Sequence, residues 1–238
     1  MNTNGYPVGK RKGKKWAEME TFQHVFQPPF QEIYNKDFHL KGKWKDFFFK
    51  NDNPITLELG CGKGEYTIGL STNSPQRNVI GIDIKGARIW KGATIALNEQ
   101  LKNVAFIRTR IEQITSFFAK DEIAEIWLTF PDPQIKKRRN KKRLTAARFL
   151  NAYREFLSPG GCIHLKTDSK VLYDYTMQMI AYNDLPLIFA LENLNEEPNI
   201  DPVLSITTQY EKQFLEQHVT IKYLCFQLPA DTVIHEPE

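Results

Sequence analysis

One segment of the chain joins an acid to three glycines at alternate positions: Glu58-Leu59-Gly60-Cys61-Gly62-Lys63-Gly64, immediately after the apolar run that starts at Ile55. Glycines at the end of a strand permit the unusual backbone angles of a tight turn and leave room for a ligand to approach the main chain. The dinucleotide fingerprint G-x-G-x-x-G would put its third small residue at position 65, where this chain has Glu65, a carboxylate that would repel a pyrophosphate. Glu58 is suited instead to the cationic amino-acid end of a sulfonium nucleoside such as S-adenosylmethionine. Asp83 ends the next apolar run, roughly 20 residues on, where an acid can accept hydrogen bonds from two ribose hydroxyls. A nicotinamide site and a turn without a ligand are the alternatives, and Glu65 counts against the first.

A second chemical group stands at Phe130-Pro131-Asp132-Pro133, after the apolar run Ile123 to Phe130. Proline fixes its own φ and restricts the residue before it, so a carboxylate between two prolines is held in a rigid, extended segment. Asp132 is therefore expected to face a crevice, the alternative being a residue that caps the following segment. Directly beyond come Lys136, Lys137, Arg138, Arg139, Lys141, Lys142 and Arg143. With Lys10, Arg11, Lys12, Lys14 and Lys15 they carry twelve positive charges, against +4 for the whole chain, so the remainder stands at −8. Basic side chains concentrated on an acidic background fit a polyanion held in one place. Their position beside Asp132 puts that polyanion, a nucleic acid, at the mouth of the donor pocket.

These groups require a scaffold that brings strand ends together. Ile55 to Leu59, Val79 to Asp83, Val104 to Ile107, Ile123 to Phe130 and Cys162 to Lys166 read as buried parallel strands. Helical patterns alternate with them at Glu65 to Ser71, Lys85 to Leu101, Ile111 to Phe118 and Leu144 to Leu157, the last ended by Ser158-Pro159-Gly160-Gly161. A further helix from Val171 to Tyr182, strands at Leu187 to Leu191 and Val219 to Leu228, a polar loop (Glu192 to Ser205) and a short helix from Tyr210 to Glu216 complete the pattern. The order predicts an α/β fold with a doubly wound, seven-stranded, mostly parallel sheet. Residues 1 to 50, with prolines 28 and 29 and scattered aromatics (Trp16, Phe22, Phe26, Phe30, Tyr34, Phe38, Trp44), read as a basic, aromatic N-terminal arm packed across a domain of residues 51–238.

Composition bounds the rest. The 238 residues suit one domain, and no apolar run approaches the roughly 20 residues of a bilayer span. After the first basic cluster comes Trp16-Ala17-Glu18-Met19-Glu20 in place of a signal-peptide core, so a cytoplasmic protein is expected. Cys61, Cys162 and Cys225 and five histidines show no ligand spacing, so buried thiols and no metal centre are expected.

Taken jointly, Glu58-Leu59-Gly60-Cys61-Gly62, Phe130-Pro131-Asp132-Pro133, the basic run ending in Leu144-Thr145, Lys166-Thr167-Asp168 and Thr208-Gln209-Tyr210-Glu211 resemble the tRNA (guanine-N7-)-methyltransferases of the bacterial single-subunit type, over residues 52 to 228. The resemblance implies a Rossmann-like class I S-adenosylmethionine-dependent methyltransferase that forms 7-methylguanosine in the tRNA variable loop, without an obligatory protein partner. It also implies a cofactor pocket of Glu58, Gly60, Gly62, Asp83, Arg110 and Asp132, with Asp132 catalytic. Lys136, Asp168, Thr208, Gln209, Tyr210 and Glu211 match the family's substrate contacts; Asp168 and Glu211 could accept hydrogen bonds from the guanine edge. The chain departs from the family at Gln134, where tryptophan is usual, and at Arg110, where aspartate commonly lies near the adenine. Glu112 is a candidate substitute for the latter. Guanine N7 bears an in-plane lone pair, so catalysis needs positioning and charge stabilisation rather than a strong base. The rival readings are a methyltransferase of the same fold with another acceptor and an RNA-binding subunit without activity.

Overall fold

The computed structural model describes residues 10–197 and 200–237, with side chains from residue 13 onward. Residues 1–9 of the arm, the side chains of Lys10, Arg11 and Lys12 in the first basic cluster, and positions 198–199 of the predicted polar loop lie outside the described residues. The elements are α1 (Lys10–Met19), β1 (Val25–Phe26), α2 (Phe30–Ile33), a π-helical turn (Trp44–Phe49), β2 (Ile55–Leu59), α3 (Glu65–Asn73), β3 (Asn78–Asp83), α4 (Gly86–Asn98) and β4 (Val104–Arg108). A 3-10 turn (Ile111–Ser116), β5 (Ile123–Thr129), a second 3-10 turn (Lys137–Lys142), α5 (Ala147–Arg154), β6 (Leu157–Thr167), α6 (Lys170–Tyr182), β7 (Leu187–Leu191), a third 3-10 turn (Leu194–Glu196), α7 (Gln209–Glu216) and β8 (Lys222–Gln227) follow.

The strands form one sheet in the order β1-β4-β3-β2-β5-β6-β8-β7. Pairings from β1 through β6 are parallel, and β8 is antiparallel to both β6 and β7. Every residue of β2 and β3 is buried, as expected for strands covered by helices on both faces. The sheet has eight strands rather than seven. The extra edge strand comes from the arm, where Val25 and Phe26 pair with Phe106 and Ile107. Its two residues are too few for a period to show, and its sheet position depends on a partner 81 residues later in the chain.

A second difference lies at Ser158 to Gly161. Helix α5 has already stopped at Arg154, and these residues lie inside β6, where the register against β5 shifts between Ile123 and Glu125 and Gly160 takes φ +76°. The glycines therefore accommodate a bulge rather than ending a helix.

The arm packs on the sheet. Ile33, Phe38, Leu40, Trp44 and Phe49 join the main core together with β2, β5, β6, α5 and α6. Trp44 is fully buried, stands edge-on to Phe26 at 5.2 Å and donates Nε1–H to the Phe117 carbonyl at 2.9 Å. No described helix is long and apolar enough to cross a membrane.

The chain leaves β2 in one direction, to β3 and β4, and returns on the other side, to β5 and β6. Loops at the carboxyl ends of β2 and β5 therefore diverge and leave a crevice, the usual ligand position in an open α/β sheet.

Candidate active site

At the end of β2 the turn is built by positive φ angles at Gly60 (82°), Gly62 (55°) and Gly64 (72°). The amides of Gly60 and Cys61 both donate to the Ile82 carbonyl, at 2.8 and 3.0 Å, which ties the turn to the end of β3. Gly64 and Gly92 meet back to back: a Cβ on Gly64 would lie 2.8 Å from the Phe106 ring, and one on Gly92 would lie 2.8 Å from the Lys63 carbonyl. Helix α4 can approach the turn only because both residues lack side chains.

Asp83 is anchored by the same turn. Its carboxylate accepts from the Gly62 amide at 2.9 Å and from the Lys85 amide at 2.7 Å, leaving lone pairs on both oxygens. Glu58 is 1% exposed and accepts from the hydroxyls of Thr67 and Thr129. Burial pushes its carboxyl up to about 7, opposed by those hydroxyl bonds and reinforced by Asp83. The carboxyl is thus poised between neutral and charged near physiological pH, so a cation placed against it would draw it to the charged form.

At the end of β5, Phe130 and Gln134 both take φ 47°, in the left-handed region that costs a non-glycine residue roughly 1–2 kcal/mol. The Pro-Asp-Pro segment is bent at each end, and Asp132 Oδ1 accepts from the Gln134 amide at 3.0 Å. Asp132 itself is exposed on the cavity wall.

Arg143 departs from the expectation for the basic run. It is 4% exposed, donates to the Pro133 carbonyl at 2.9 Å and the Gln134 carbonyl at 3.3 Å, and stacks 4.3 Å from the Tyr175 ring. It fastens the Pro-Asp-Pro loop to α6, so six of the seven basic residues face solvent.

One cavity of about 790 Å³ spans the glycine turn, Glu58, Asp83 and the Pro-Asp-Pro loop. Of the residues predicted from sequence, Glu58, Gly60, Gly62, Asp83, Arg110, Asp132, Asp168, Thr208 and Tyr210 line it. Gln134 and Glu112 line it as well, and the Gln134 Oε1 is buried without a hydrogen-bond partner. Lys136, Gln209 and Glu211 do not line it. Lys136 is exposed on the basic loop. The Gln209 amide donates to Glu65 Oε2 at 2.8 Å, and its side chain accepts from Lys63, so it bridges α7 to the glycine turn.

Glu211 is 4% exposed and paired with Lys166 at 2.7 Å. Its carboxylate is therefore engaged by Lys166, and Glu211 is not among the residues that line the cavity. Lys166, fully buried, also donates to the carbonyls of Leu204 (2.7 Å) and Ile206 (3.0 Å). Burial holds the Lys166 ammonium below its ordinary value and the Glu211 carboxyl above its own, each offset by the partner's charge. Thr208 caps α7 by accepting from the Glu211 amide at 3.1 Å. The T-x-x-E spacing is thus also a helix-start signal, and Lys166 is the residue that sequence reasoning left without a role.

The family model described as "Putative methyltransferase" matches residues 52–224. The chain is 51% identical to the tRNA (guanine-N(7)-)-methyltransferase of Bacteroides thetaiotaomicron over 231 residues, covering 97% of this chain and 91% of that protein. The enzyme of the same name from Christiangramia forsetii is 49% identical over 220 residues (92% and 98% covered). Among solved structures, the 16S rRNA methyltransferase KamB superposes with a TM-score of 0.62 at 14% identity, over 87% of this chain and 99% of that one. A variant of the 16S rRNA (adenine(1408)-N(1))-methyltransferase from Catenulisporales acidiphilia, solved with its cosubstrate, gives 0.56 at 15% identity (81% and 93% covered). The fold is that of the class I methyltransferases, and with the sequence matches covering nearly all of its length, the chain belongs to the tRNA (guanine-N(7)-)-methyltransferase family.

Proposed function

We propose that this protein transfers a methyl group from S-adenosylmethionine to N7 of a guanine in tRNA, in the variable loop as the family resemblance implies, and that it works in the cytoplasm. The observation that carries the reading is the continuous cavity, in which the glycine turn and Asp83 share one space with Asp132 while six exposed basic side chains stand beside it.

The residues present fit S-adenosylmethionine. The turn leaves open space at Gly60, where a Cβ would meet nothing within 4 Å. Glu58 offers a buried carboxylate to the ammonium of the cofactor, and Asp83 keeps lone pairs for ribose hydroxyls. Ile84, Ile111 and Phe149 supply apolar wall for the adenine, beside the Arg110 backbone. When bound, this group supplies an electrophilic methyl.

The protein's own work is to seat the guanine so that its N7 lone pair faces that methyl. The Gln134 amide orients Asp132, and the Asp132 carboxylate offsets the positive charge that develops on the purine. Asp168, Thr208 and Tyr210 form the wall against which the base rests, and Lys136 with its basic neighbours holds the RNA backbone. Gln134 presents an amide where the family usually has an aromatic face. Gln209 and Glu211 act by holding the start of α7. Residues 1–50 are assigned to the N-terminal arm, of which the described part begins at residue 10, and residues 51–238 to the methyltransferase domain.

The test is transfer from labelled S-adenosylmethionine to unmodified tRNA transcripts, followed by nucleoside analysis. Label in 7-methylguanosine is the expected result. Label in another nucleoside, or none despite cofactor binding by calorimetry, would overturn the proposed acceptor.

A further inference from the structure

Outside the cavity, three side chains that the sequence scatters meet on one face of the sheet. Cys162 and His164 are two residues apart on β6 and so share a face. Cys225 on β8 stands directly opposite His164, while Glu125 on β5 stands opposite Cys162. One sulfur from each cysteine and a ring nitrogen of His164 all lie within 4.8 Å of one another.

The imidazole is prepared as a ligand. It lies flat on Trp127, with centroids 4.0 Å apart and planes within 2°, and its Nδ1 is bonded to the Tyr223 hydroxyl at 2.8 Å. Its Nε2 is buried with no hydrogen-bond partner and lies 3.9 Å from Glu125 Oε2. With Nδ1 engaged by Tyr223, Nε2 is the ring nitrogen left to present a lone pair to the cluster.

We propose that Cys162, His164 Nε2 and Cys225 form a structural site for one zinc ion, with Glu125 supplying the fourth ligand. Two thiols and an imidazole are a borderline-soft set that zinc binds tetrahedrally, with its sulfurs on the order of 3.8 Å apart, so the cluster needs to contract by about 1 Å. On binding, the two thiols release two protons and form two Zn–S bonds. The Tyr223 hydroxyl keeps the proton on Nδ1, and Arg77, 2.8 Å from Glu125, offsets the site's net negative charge. A cleft of about 310 Å³ lined by Arg77, Glu125, His164 and Tyr223 provides the entry route. The ion would join the antiparallel β8 to β6. Cys162 lies five residues back from Thr167, roughly 17 Å from the cavity end of β6, so the site is expected to act on stability and not on methyl transfer.

The experiment titrates the reduced, chelator-stripped full chain with cadmium ion, a spectroscopic stand-in for zinc, and then with zinc itself. One equivalent should produce a thiolate-to-metal charge-transfer band, zinc should displace it and raise the melting temperature, and both responses should disappear in C162S and in C225S while methyl transfer persists. No band in the wild type, or a band retained in C162S or in C225S, would overturn the site. Should the variants fail to fold, alkylation of the wild type followed by mass spectrometry decides the matter. Zinc-dependent protection of Cys162 and Cys225 supports the site, and equal labelling with and without zinc refutes it.

Discussion

The two ends of the cavity are made differently. The end assigned to the donor in the proposed function is a short loop of contiguous residues, Glu58 to Gly64, completed by Asp83, and its geometry comes from backbone: positive φ at three glycines and amides bonded to the next strand. The end assigned to the acceptor in the proposed function is assembled from Asp132, Asp168, Thr208 and Tyr210, far apart in sequence, and is held by long side chains that do not line the cavity: Arg143 at the Pro-Asp-Pro loop and Lys166 at α7. A backbone-built end is rigid by local constraint. The other end depends on buried charges that stay in place only while every partner is present.

The sharpest way to break this contrast is Lys166→Met. It would leave Glu211 buried without its cation and free two carbonyls, costing about 3–5 kcal/mol. Urea denaturation should show that loss, and the KM for tRNA should rise far more than that for S-adenosylmethionine. Equal effects on both substrates would mean that the two ends are not separately supported.

Next is Asp132→Ala, expected to lower kcat on the order of a hundredfold to a thousandfold with tRNA affinity nearly unchanged, as for loss of a group that acts on transition-state charge. Filter binding beside single-turnover kinetics would check it, and parallel losses in both would reassign Asp132 to binding.

Glu58→Gln probes the donor end through pH. The folded carboxyl keeps its proton up to about 7, above the ordinary 4.5, so the folded state binds that proton more tightly than the unfolded chain does. The resulting stabilisation is complete below 4.5 and is lost as pH rises through 7, a change of roughly 3 kcal/mol. Denaturation at about pH 5 and about pH 8 should show this decline in the wild type and a flatter profile in the variant.

The smallest effect belongs to the exposed loop. Lys137→Gln with Lys141→Gln should weaken tRNA binding several-fold and reduce the slope of log affinity against log salt by about one to two. Arg143→Gln should instead lower stability with little change in that slope, because its charge is turned inward.

The legible parts of the molecule were those set by local rules. Seven strands and the glycine turn follow from apolar runs and turn residues, and nine candidate residues line one cavity, seven because they sit at the end of a strand or just beyond it and Thr208 and Tyr210 because they stand at the start of α7. The misreadings share a cause. Val25-Phe26 is too short to carry a period, Gly160-Gly161 reads the same as a helix stop or a bulge, and Arg143 is indistinguishable in sequence from six basic neighbours that face water. Glu211 and Lys166 lie 45 residues apart, so nothing local announces their pairing.

By itself, the sequence determined the α/β class, the strand order along the chain, the ligand turn and the carboxylates at the strand ends, because propensity, period and glycine conformation act within a few residues. Only the tertiary structure decided which charges are buried and with whom, that the arm adds an edge strand, and that Cys162, His164 and Cys225 meet. Those outcomes depend on sheet order and register, which bring distant residues within a few ångströms and change the cost of every charge by removing it from water.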